Sequence, residues 1–133
     1  FSFFSAHALY FYDPAGNIVE FISRQGSEEE AKPFSIDSVI NISEIGLTVN
    51  DAISAGTRLI EIGINERDKN PLSQTSLNFM GDKSKGIFII LNQPGRRWIF
   101  SNKISAIFPI EILTTDGSKI LVNSENLLEV YEY

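Results

Sequence analysis

His7-Ala8-Leu9-Tyr10-Phe11-Tyr12-Asp13-Pro14-Ala15-Gly16-Asn17-Ile18-Val19-Glu20-Phe21 is the stretch that decides how this chain reads. An apolar, aromatic run meets a turn and returns as a second apolar run. Pro14 presets φ for the turn and Gly16 can take positive φ, so Asp13 to Asn17 reverses the chain. With Ile18 to Ser23 as the return, residues 1–24 read as two strands joined in a hairpin with a longer loop. Strand alternation places Glu20 on the face of Ile18 and Ile22. A carboxylate on an apolar-patterned face is paired, protonated or metal-bound, because an isolated buried charge is too costly. The alternative is that both faces are partly apolar and Glu20 points into water.

Beyond the hairpin, residues 25–39 read as a linker. Gln25-Gly26-Ser27, the triplet Glu28-Glu29-Glu30 and Lys32-Pro33 are polar, and three adjacent carboxylates repel one another. A new unit runs over 40–133. Ile45, Leu47 and Val49 share one strand face, and Glu44, Gly46 and Thr48 share the other. Asn50 or Asp51 can cap a helix that runs to about Glu61 and stops at Gly63. Strands are expected at Ser76–Met80 and Ile87–Leu91. A turn at Asn92-Gln93-Pro94-Gly95 would let Arg97–Phe100 pair back. Asp116-Gly117 marks a hairpin between Pro109–Thr114 and Lys119–Val122. The tail from Asn123 reads as a last helical turn or a strand.

The 133 residues suit one domain or two small modules. With 43% hydrophobic and 21% charged residues, the chain has the ordinary balance of a globular protein. Seventeen acidic against eleven basic side chains give a net charge of -6, which argues against nucleic acid or an anionic membrane as partner. Arg96-Arg97 stands out as a basic pair and reads as two solvated hairpin residues. The chain has no cysteine, which excludes disulfides, zinc–thiolate sites and cysteine nucleophiles and fits a reducing, cytoplasmic setting. No apolar run approaches the roughly 20 residues of a membrane span.

On these residues the chain resembles the vicinal-oxygen-chelate superfamily of glyoxalases, extradiol dioxygenases and bleomycin-resistance proteins. His7 to Phe21 resembles the strand, Asp-Pro-x-Gly-Asn turn and strand that end one module. Ser43-Glu44-Ile45-Gly46-Leu47-Thr48-Val49-Asn50-Asp51 looks like the opening strand and helix cap of the next. The resemblance implies an α+β fold in which paired βαβββ modules form a cup-shaped, mostly antiparallel sheet. Residues 1–24 would be the last hairpin of the first module. The opening of that module is expected upstream of Phe1, and the sheet edge it leaves exposed predicts a homodimer.

The family's metalloenzymes bind a divalent cation (zinc, nickel, iron or manganese) through such strands, and the resemblance puts Glu20 in that role as the catalytic carboxylate. Glu44 stands where the family usually carries histidine or glutamine, so it is either a second ligand or a solvated cup residue. His7 is the only histidine. It can be a ligand, a base or a structural residue. Ile87 to Leu91 offers no carboxylate, so a ligand set shared symmetrically by both modules is not available. Trp98, near Phe100 and Phe108, can rim the cup. Phe1, Phe3, Phe4, Tyr10, Phe11, Tyr12 and Phe21 line a ligand pocket or fill the core.

Three functions follow as expectations: a metal-dependent lyase, isomerase or ring-cleaving dioxygenase; a metal-free binder that sequesters an aromatic or antibiotic-like ligand; and a regulatory protein on the same fold. The first two take a small molecule as partner.

Overall fold

The computed structural model describes residues 6–24, 33–123, 125 and 128–132. The chain is α+β, mostly strand with one α-helix, and it divides into two compact units, Phe1–Asn41 and Ile42–Tyr133. The acidic triplet of the linker and the aromatic residues Phe1, Phe3 and Phe4 lie outside the described residues.

In the first unit β1 (Ala6–Tyr12) and β2 (Ile18–Arg24) pair antiparallel. The turn between them is built by Asp13. One carboxylate oxygen accepts from the Asn17 backbone N–H at 2.7 Å and the other from the Asn17 amide at 2.8 Å, while the Asp13 carbonyl accepts from Gly16 N–H at 2.8 Å. Gly16 sits at φ 82°, a conformation that costs glycine little. Asp13, Gly16 and Asn17 of the Asp-Pro-x-Gly-Asn motif thus each help close the hairpin. Phe11 and Phe21 pack ring to ring at 5.1 Å, and Phe34 follows at 5.5 Å from Phe21. A single 3-10 turn covers Ile36–Ser38.

The second unit is organised by one helix, α1 (Ala52–Glu61). Its cap is Asp51, whose side chain accepts from the N–H groups of Ile53 and Ser54 at 3.0 and 2.9 Å. Gly63, at φ 84°, follows the helix end. Ala52, Ala55, Gly56 and Leu59 form the buried stripe. At Gly56 an added Cβ would lie 2.7 Å from a Leu72 methyl, so a side chain there would have to push Leu72 aside.

The helix covers one face of a three-stranded sheet in the order β3 (Glu44–Thr48), β5 (Phe88–Asn92), β4 (Asn78–Met80). The β3–β5 pair is parallel, although the sequence suggested only antiparallel partners after the helix. The helical crossover makes this possible, since parallel neighbours need a long connection. The β4–β5 pair is antiparallel. Leu47, Val49, Met80, Ile89 and Leu91 point to the helix side and join Ala52, Ala55 and Leu59 in the core.

A second sheet holds β6 (Ile110–Leu113), β7 (Lys119–Val122) and β8 (Leu128–Tyr131), all antiparallel. It contributes Ile120 and Val122 to the same core. The Asp116-Gly117 hairpin forms as the sequence predicts, with Gly117 at φ 92°. The tail resolves to a strand. Arg97–Phe100 does not form one. Ser101 N–H bonds back to the Trp98 carbonyl and Phe100 adopts φ 57°, so a tight turn consumes the segment and leaves a single bridge, Arg97 to Ile104. Among the described residues no helix is long and apolar enough to cross a membrane.

Asp51→Ala removes the helix cap and is expected to cost about 1 kcal/mol, and Leu59→Ala about 3 kcal/mol, both read from urea unfolding. Hydrogen bonds from Asn17 hold the Asp13 carboxyl below the usual carboxylate range. A depressed folded pKa stabilises above the unfolded value and is lost as pH falls through the folded one. Acidification below that ordinary range should therefore weaken this turn, and Asp13→Asn should flatten the acid limb of a hydrogen-exchange profile for the hairpin amides.

Candidate ligand-binding face

Strand pairing decides which of the candidate residues can act together. In the hairpin, Tyr10 lies opposite Glu20 and His7 lies opposite Ser23. Paired residues share a face and neighbours alternate, so Glu20, Tyr10, Ile18 and Ile22 are on one side and His7 is on the other. His7 is exposed and Glu20 half-buried. These two residues are not brought together on one face.

Glu44 belongs to the second unit. It is half-buried at the start of β3, on the face that the helix does not cover. The registers place Glu44 beside Phe88, Gly46 beside Ile90 and Thr48 beside Asn92, and carry Ile90 on to Phe79 of β4. One row then crosses the whole sheet. Arg67 extends it by one position: its N–H bonds the Phe79 carbonyl at 2.8 Å, and Glu66 bridges Met80.

Each end of this row carries a flat side chain. The Arg67 guanidinium lies 4.3 Å from the Phe79 ring centroid and 5.6 Å from that of Phe88. It is held in its plane by Asp68, which accepts from Arg67 Nε at 2.7 Å. That partnership and Lys83 keep the Asp68 carboxyl below its ordinary range. At the other end, Trp98 meets Gly46. An added Cβ at position 46 would lie 3.3 and 3.4 Å from Cη2 and Cζ2 of the indole and near no other atom of it, so the ring approaches edge-first.

The loop that carries Trp98 is firmly braced. Trp98 N–H bonds Lys103 O at 3.0 Å, Ser105 N–H bonds Arg96 O at 2.7 Å, and the buried Ser105 hydroxyl donates to Gln93 O at 3.0 Å. Arg97, exposed as the sequence suggested, is nevertheless engaged: its Nε donates to Ser101 O at 3.0 Å and its terminal nitrogen to Asn102 at 2.6 Å. Arg96 is exposed too and reaches Thr75 O at 3.4 Å, beside a polar cleft of about 320 Å³.

A divalent metal can be tested against these donors. Among the described residues no group of three His, Asp or Glu side chains is gathered to hold one. Asn92, the one polar residue of β5, spends its amide on Leu47 O and Ile90 O at 3.3 Å each and accepts from the Thr48 hydroxyl at 3.2 Å. The described donors do not form a metal site by themselves. Sequence reasoning reached Glu44 and Trp98 but missed Arg67, whose signal is only the pairing of 65–67 along β4.

The model of a family described as toxoflavin-degrading enzyme matches residues 42–96, the stretch that forms β3, α1, β4, β5 and the turn that follows. That family is of the glyoxalase/dioxygenase type of fold, so this part of the chain is similar to a module of that type. No curated protein matches the chain.

Gly46→Ala tests the packing of the face. The added methyl should displace Trp98 and cost about 1 kcal/mol. A shift in Trp98 emission, with lower resistance to urea, is the expected outcome.

Proposed function

We propose that the chain is a small-molecule-binding module of the glyoxalase/dioxygenase-like superfamily that serves in breaking down toxoflavin or a related compound. The observation that carries this reading is positional. The match to the toxoflavin-degrading family spans the strands that place half-buried Glu44, Phe79 and Ile90 on the face the helix does not cover, with Phe88 buried beside them. Aromatic and aliphatic side chains supply apolar area, and a few fixed polar groups set orientation, which is the usual make-up of a small-molecule site.

In this reading Glu44 is the reactive group. A carboxylate at the start of a strand, next to a buried aromatic ring, can accept an N–H or O–H of the ligand and take its proton as general base. Glu20, beside Tyr10 on its own hairpin face in the first unit, is not part of this face. The superfamily resemblance also assigns Glu20 and Glu44 to a divalent metal. The described residues supply too few donors for that, so no step is assigned to one. The lack of a carboxylate on β5 favours a second reading, in which the same face sequesters its ligand without changing it.

One experiment separates the two. The full-length protein is incubated with toxoflavin, and both binding and loss of the compound are followed, before and after chelation. On the enzyme reading the compound disappears, and Glu44→Gln slows its loss by about a hundredfold while leaving affinity within a few-fold. Tight binding with no loss of compound establishes the sequestering reading. If toxoflavin neither binds nor is consumed, the proposal fails.

A further inference from the structure

We infer that the polar cleft between residues 74–76 and the turn 92–96 is a second binding site, in which the Arg96 guanidinium takes the carboxylate of a small hydroxylated acid. The inference is independent of the reading of the Glu44 face, since Glu44, Phe79 and Ile90 do not line this cleft.

The open space is about 320 Å³, at the lower end of the roughly 300–1,000 Å³ of small-molecule pockets. Its lining carries a single charge. Arg96 borders it and no Asp or Glu does, in a chain with seventeen acidic side chains against eleven basic. The guanidinium stands at the cleft, because it reaches from the turn to the Thr75 carbonyl on the facing segment at 3.4 Å. Among the described residues this long hydrogen bond is its only one, and no carboxylate lies within ion-pairing distance. Arg58, Arg67, Lys83 and Lys119, by contrast, each have an acidic partner. The other N–H groups of Arg96 are therefore open to a ligand.

Neutral polar groups complete the lining. Gln93 Oε1 accepts from Ala52 N–H at 3.2 Å, which fixes the amide and leaves its NH₂ group as a donor. The Gln74 amide and the Ser76 hydroxyl have no hydrogen-bond partner among the described residues. One guanidinium without a second cation matches one negative charge, and its planar fork fits the two oxygens of a carboxylate. The amides and the hydroxyl suit hydroxyl groups on the rest of the ligand.

Buried polar residues brace both walls. The buried Ser105 hydroxyl donates to Gln93 O at 3.0 Å and accepts from Arg96 N–H at 3.0 Å, and Gly95 N–H bonds Ser105 O at 2.9 Å. Across the cleft, Ser73 Oγ accepts from the N–H groups of Thr75 and Ser76 at 3.2 and 3.0 Å, and buried Asn78 donates to Ser73 O at 2.8 Å. Walls ordered before the ligand arrives lower the cost of binding.

The test uses the full-length, isotopically labelled protein, followed by NMR during titration with lactate, with methyl lactate and with inorganic phosphate. The expected result with lactate is saturable shifts of the Gln74 and Gln93 side-chain amides and of Arg96 Nε–H. The affinity should be about millimolar and weaken as salt rises. Methyl lactate keeps the hydroxyl but lacks the charge, and should bind about tenfold more weakly. Arg96→Gln should weaken lactate binding about tenfold and Arg96→Lys several-fold, with the rest of the amide spectrum unchanged. An equal response to the ester, tighter binding of phosphate than of lactate, lactate affinity unmoved in Arg96→Gln, or no saturable shift at all overturns the assignment.

Discussion

The structure of the second unit depends on the burial of one helical stripe. Ala52 and Leu59 on α1, Leu47 on β3 and Leu91 on β5 are fully enclosed, and everything else in this unit is arranged around that contact. Burying each of these leucine side chains stabilises by about 1.5–3 kcal/mol, more than an exposed surface ion pair contributes. Because the helix occupies one side of the sheet, the opposite side is left for other use. β3 and β5 run parallel, which the long connection through the helix and β4 permits.

Two buried asparagines adapt this frame to its loops. Asn78 accepts from Ser73 N–H at 2.7 Å and donates to Ser73 O at 2.8 Å and Leu91 O at 3.2 Å. Asn92 ties β3 to β5. Both amides are fully engaged, as buried polar groups must be. Through Asn78 the irregular stretch before β4 is held to the sheet, and that stretch includes the segment that positions Arg67. The polar core is therefore part of how the open face is built.

Much of this was legible in the residues. The Asp-Pro-x-Gly-Asn turn, the Asp51 cap and the Asp116-Gly117 hairpin are local, and short-range chemistry decides them. The alternation that separates Ile45, Leu47 and Val49 from Glu44, Gly46 and Thr48 is likewise local. What sequence could not supply was register. Glu20 and His7 are thirteen positions apart, and only the pairing of Tyr10 with Glu20 shows that His7 faces away. Arg67 was invisible for the same reason: its place on Phe79 follows from an edge pairing of irregular backbone. Phe100 misled because aromatic residues favour strands, while a left-handed turn took the segment.

The pairing of residues 65–67 along β4 has a consequence for growth of the sheet. An uncovered strand border offers free N–H and C=O groups to any passing chain, and proteins commonly block such borders. Here the β4 border is already occupied by Asn65, Glu66 and Arg67. The three-stranded sheet can therefore be extended in one direction only, past β3. Any strand added there lies alongside Glu44, Gly46 and Thr48, so enlargement of the sheet would also widen the face that carries the carboxylate.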